Sequence, residues 1–61
     1  MTIDTCYGKI TASKETLNSL SLLMSEASKS YINRDRIVLG CEASNEAGKI
    51  YEALRSVGYY D

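Results

Sequence analysis

Small or apolar residues alternate with polar ones from Cys6 to Ala12, with Cys6, Gly8, Ile10 and Ala12 on one side and Tyr7, Lys9 and Thr11 on the other. A period of two predicts a strand with one buried and one outward face. Ser13 then offers a helix N-cap, and Glu15 places an acid in the first turn, where the helix dipole favours it. Leu17, Leu20, Leu23, Met24, Ala27 and Tyr31 recur at spacings of three and four, which predicts an amphipathic helix with that stripe inward. Leu22 lies off the stripe and is expected at the surface. No glycine marks the helix end, so the turn is placed in the polar and small stretch between Ser28 and Ile32.

The stretch from Tyr31 to Cys41 reads two ways. As a helix, it is capped by Asn33, carries Asp35 in its first turn, and aligns Ile37, Val38 and Cys41 on one face. As a strand, Ile37-Val38-Leu39 is a short, partly β-branched apolar run bounded by Gly40. Beyond it, Ser44 or Asn45 is placed to cap a further helix with Ala47, Ile50, Tyr51, Leu54 and Val57 on its apolar face. Glu46 with Lys49 and Glu52 with Arg55 support that helix at i, i+3, and Gly58 is placed to close it. Tyr59 and Tyr60 follow as a frayed end or an aromatic clip onto the body.

The chain has 61 residues, room for one domain. A chain this short buries only about 60% of its unfolded surface, so added support is expected. Two cysteines, Cys6 and Cys41, make no disulfide framework and have no metal-type spacing, and the sequence contains no His. Both cysteines are read as free thiols acting as small buried hydrophobes. Neither a metal nor another cofactor is expected, and self-association is the remaining support. No secretory pattern opens the sequence and no apolar run approaches a membrane span, so a cytoplasmic protein without membrane contact is expected. The net charge is -1; residues 1–41 carry five basic and four acidic side chains, residues 42–61 two and four.

A strand with alternating faces, a Ser-capped helix with Leu17 and Leu20, and then Ile32-Asn33-Arg34-Asp35-Arg36-Ile37-Val38 resembles the ribbon-helix-helix family of DNA-binding proteins. The resemblance covers residues 5–43, leaving 44–61 as a C-terminal helical extension. It implies a mainly α fold with one short strand, in a homodimer whose strands pair as a ribbon in the major groove of DNA. Tyr7, Lys9 and Thr11 are then the base-contacting residues. Lys29, Asn33, Arg34 and Arg36 are the phosphate-contacting ones, around the N-terminus of the second helix. The implied function is a sequence-specific transcriptional repressor of a phage or plasmid, of the antitoxin type, with 44–61 available to a protein partner.

Two other classes bear on the reading. An enzyme is not expected, because neither cysteine has a His to activate it and the four glycines form no phosphate-binding loop. The competing fold is a small α+β layer, β-α-β-α, with strands near 3–10 and 35–42 and helices near 13–30 and 45–57. Such a chain is a protein-interaction module or inhibitor that docks on a larger target.

Overall fold

The computed structural model describes residues 1–61 as a β-hairpin followed by a helical hairpin. Strands β1 (Thr2–Thr5) and β2 (Gly8–Thr11) precede helices α1 (Lys14–Asn33) and α2 (Ile37–Ser56). The fold is mainly α, and one antiparallel two-stranded sheet precedes two helices, an order compatible with a ribbon-helix-helix fold.

The alternation from Cys6 to Ala12 is a strand only from Gly8 onward, and its partner is the preceding segment of the same chain. Thr2 faces Thr11, Ile3 faces Ile10, Asp4 faces Lys9 and Thr5 faces Gly8. Cys6 and Tyr7 form the intervening turn. Thr5 Oγ1 accepts from the Tyr7 amide at 3.1 Å and donates to the Gly8 carbonyl at 2.8 Å. Gly8 has a φ of +114°, a conformation that favours glycine. Its place in the sequence therefore answers to the turn and not to packing.

Ser13 caps α1 as expected, its Oγ accepting from the Thr16 amide at 3.2 Å. The helix continues five turns through Ser28-Lys29-Ser30 to Asn33, beyond the turn expected at 28–32. Its end is closed by backbone bonds from Arg36 N–H to Tyr31 O and from Asp35 N–H to Ile32 O. Those two bonds define a Schellman motif, and Asp35 fills its left-handed position with a φ of 59°. Asp tolerates that conformation better than most side chains, which is why no glycine signalled the stop.

Residues 37–42 are helical, so the β-α-β-α alternative with a strand over 35–42 does not hold. The sheet has only its two strands, and Ile37-Val38-Leu39 joins neither of them. Asn33 ends α1 and does not cap α2; neither Ser44 nor Asn45 begins a helix, because α2 runs unbroken to Ser56. Gly58 closes α2 as expected, with Tyr59 N–H on Leu54 O and Gly58 N–H on Arg55 O.

The two helices run antiparallel and are joined at matched positions. Ser21 Oγ donates to Ala47 O at 3.1 Å, and Ser28 Oγ donates to Gly40 O at 2.7 Å, both buried. Each pair is seven residues from the next on its own helix, two turns of nearly aligned helices. The buried line of α1 is Leu17, Ser21 and Ser28. Of the predicted stripe, Leu17 is in the core and Leu20, Met24 and Ala27 are half-buried beside that line, whereas Leu23 (67% exposed) and Tyr31 face outward. On α2, Gly40, Ala43, Glu46, Ala47, Ile50 and Leu54 are buried, whereas Tyr51 and Val57 are exposed.

Ile3, Leu17, Ile50 and Leu54 form the core, with Met1, Ile10, Ala12, Leu20, Met24, Ala53 and Tyr59 against it. Each fully buried aliphatic side chain contributes roughly 1.5–3 kcal/mol. The last turn clips onto the body: Tyr60 stacks on Tyr51 with centroids 5.0 Å apart and donates to Asn18 Oδ1 at 2.6 Å.

Candidate functional site

The hairpin lies over one end of the helical pair, with Ile3 and Ile10 inward. Thr2, Asp4, Lys9 and Thr11 are on its outward face, where the Thr2 and Thr11 hydroxyls meet at 2.8 Å. Lys9 and Thr11 therefore stand outward as expected, with Asp4 directly opposite Lys9. Tyr7 does not share their face; it is at the hairpin tip, 81% exposed.

The expected phosphate-contacting residues are spread out. Lys29 is inside α1 in an exposed ion pair with Glu26 at 3.7 Å, and Asn33 is the last residue of that helix. Arg34 and Arg36 flank the turn, Arg36 at the N-cap position of α2 without a side-chain capping bond. The first turn of α2 holds no acid, because Asp35 precedes it. Arg34 and Arg36 are thus the two that stand at the N-terminus of the second helix.

The more developed site is on the other side of the hairpin tip. Past Tyr7, the face of the helical pair that the hairpin covers further down continues without a cover. It forms a groove of about 190 Å³ walled by Tyr7, Met24, Tyr31 and Leu39 and floored by Ala27 and Ala43. Glu42 and Glu46 border it, and both also line an adjoining depression of about 620 Å³ with Cys6, Tyr7, Asn45 and Lys49. The two hollows form one continuous surface around the tip.

Glu46 is the chemical centre of that surface. Its side chain is only 4% exposed. Oε1 accepts from the Cys6 amide and from Lys49 Nζ, each at 3.3 Å, while Oε2 is buried without a hydrogen-bond partner. A buried carboxylate oxygen left unpaired costs free energy that a donor at this position would recover. Burial by itself raises the carboxyl pKa. The nearby Cys6 thiol, the hydrogen bonds from Lys49 and the Cys6 amide, and the Lys49 charge outweigh it and hold Glu46 below the usual value, ionised at neutral pH.

Desolvation, followed by the hydrogen bond to Glu46 and its charge, pushes the Cys6 thiol up, away from a reactive thiolate. Both cysteines are free and exposed, not the buried hydrophobes expected. No three His, Cys, Asp or Glu side chains stand close enough to hold a metal ion, and no helix is long and apolar enough to cross a membrane.

In the sequence Glu46 is readable only as the i, i+3 partner of Lys49. Its burial depends on the hairpin tip returning over a residue 40 positions away, which no local pattern encodes. The apolar face of 44–61 is occupied from within: Ala47, Ile50 and Leu54 are buried in the chain's own body. No protein-family model, curated protein or solved structure matches the chain.

Proposed function

We propose that the chain is a small protein-interaction module that docks a partner segment in the groove between Tyr7, Met24, Tyr31 and Leu39. One observation carries this reading: an uncovered apolar groove adjoins Glu46, whose buried Oε2 has no donor. The walls suit an aliphatic or aromatic side chain, and the acidic border suits a lysine or arginine beside it. The surface as a whole agrees. A 6.7 kDa chain exposes 4322 Å², against about 3900 Å² for a folded monomer of that mass. Selection from a displayed peptide library tests the reading. Enriched peptides should pair a basic with an apolar residue and shift the amide resonances of Met24, Tyr31, Leu39 and Glu42. Binding confined to another surface rejects it.

A second reading, a DNA-binding repressor of the ribbon-helix-helix type, is supported by the outward Lys9 and Thr11 on a two-stranded antiparallel ribbon. Arg34 and Arg36 beside a helix whose first turn holds no acid add to it, with Asp35 between them set against it. The net charge of -1 and Asp4 opposite Lys9 oppose it. It requires DNA affinity that falls steeply with salt and that Arg34→Ala weakens evenly across sequences. Salt-independent or absent binding removes it.

A further inference from the structure

The same chain carries a segment with the chemistry that the groove calls for. Arg34 and Arg36 flank the turn between the helices, and Ile37 and Val38, 52% and 73% exposed, follow at once. These two β-branched side chains project from the first turn of α2 without a partner element. At the groove, Glu42 stands at the rim and Glu46 beneath it, the latter with its unpartnered oxygen. One end of α2 is therefore basic and apolar, and the surface one to two turns further along is acidic and apolar.

We propose, resting on the docking reading above, that the occupant of the groove is the turn between α1 and α2 of a second copy, with its Arg36 facing Glu42 and Glu46 and its Val38 against Tyr31 and Leu39. Reciprocity follows from placement. Arg36 and Glu46 are ten residues apart on one helix, about 15 Å. Two helical hairpins overlapped antiparallel at their turn ends thus seat each turn in the other's groove. That arrangement is isologous and closes as a two-fold dimer. A standard interface covers about 800 Å² on each partner, and the exposed apolar residues of this end, Tyr31, Ile32, Ile37, Val38 and Leu39, provide its centre. The dimer differs from one built by pairing strands: its hairpins stay outside the interface, and both outer sheet edges remain free.

Sedimentation equilibrium on the full chain from micromolar to millimolar concentration, with two charge-reversed variants, tests this. Arg36→Glu and Glu42→Lys each place like charges at both symmetric contacts, and each alone should dimerise at least about tenfold more weakly. Mixed together, they form a heterodimer in which positions 36 and 42 again carry opposite charges at both contacts, and affinity should recover in part, Glu46 being unchanged. Both substitutions are on exposed positions, and circular dichroism confirms that each variant folds. Val38→Asp should weaken association in the same way. A monomeric wild-type chain at millimolar concentration overturns the second copy as occupant; peptides selected for the groove would then leave the docking reading standing. A dimer indifferent to all three substitutions overturns this interface, and loss of peptide binding as well removes the docking reading with it.

Discussion

The Ser28 hydroxyl donates to the carbonyl of Gly40 at 2.7 Å, and at the same crossing a Cβ on Gly40 would lie 3.1 Å from the Ser28 carbonyl oxygen and 2.6 Å from Ile32 Cγ1. Helix α2 lies close against α1 at a point where it has no side chain. Gly40 is thus the residue that lets a serine reach a carbonyl already used within its own helix.

Gly40→Ala should lower stability by about 1 kcal/mol. Alanine gains about 0.8–1 kcal/mol in helix propensity, but overpacking typically costs 1–3 kcal/mol. Ser28→Ala should cost a further, comparable amount, about 0.5–1.5 kcal/mol, through the lost hydrogen bond. Urea denaturation reads both. A stabilised Gly40→Ala would show that the helices separate freely at this point.

Gly48 makes the opposite case eight residues along the same helix. It is exposed, and nothing stands within 4 Å of an added Cβ. Gly48→Ala should raise stability by about 0.8–1 kcal/mol, with an unchanged denaturant slope. Equal effects at Gly40 and Gly48 would mean that propensity alone decides both sites.

Asp35 holds a φ of 59° at the C-terminus of α1. Glycine accepts that backbone without strain, so Asp35→Gly should stabilise the chain by about 0.5–1 kcal/mol. Thermal unfolding checks it. Destabilisation would show that the carboxylate, close to the amino end of α2, contributes more than the backbone conformation costs.

Glu46 gives a pH dependence of known sign. Its folded pKa is depressed, so its contribution is complete above the unfolded carboxylate value of about 4.3 and is lost as pH falls through the folded value. Lys49 and Cys6 face it, and Glu42 and Tyr7 share its hollow. The urea midpoint of the wild type should fall across that acid window more steeply than that of Glu46→Gln. Parallel curves would show that Glu46 is not the group responsible.

Gly8 tests the hairpin. Its φ of +114° is strained for any L side chain even though open space surrounds it. Gly8→Val should destabilise by about 1–2 kcal/mol and loosen the Cys6 amide from Glu46, readable as faster hydrogen exchange at Cys6. Unchanged exchange would separate the turn from the site.

Local chemistry alone was enough for the elements that answer to nearest neighbours. Ser13 as a cap, the helical periodicity of α1 and of Ala47 to Val57, Gly58 as a stop and the outward pair Lys9 and Thr11 are all readable without a fold, because caps, dipoles and periodicity act over four residues or fewer. The tertiary structure decided what depends on distant partners. Residues 37–42 are helix, packed on α1 with Gly40 O held by Ser28, and they leave both free edges of the hairpin unpaired. The α1 stripe kept Leu17 inward but left Leu23 and Tyr31 outside, because Ser21 and Ser28 occupy the line that meets α2 further along. Glu46 became a buried, half-satisfied acid because the hairpin tip folds back over it. Helical periodicity ranks side chains by polarity, but backbone approach ranks them by size, and where two helices meet this closely size prevails.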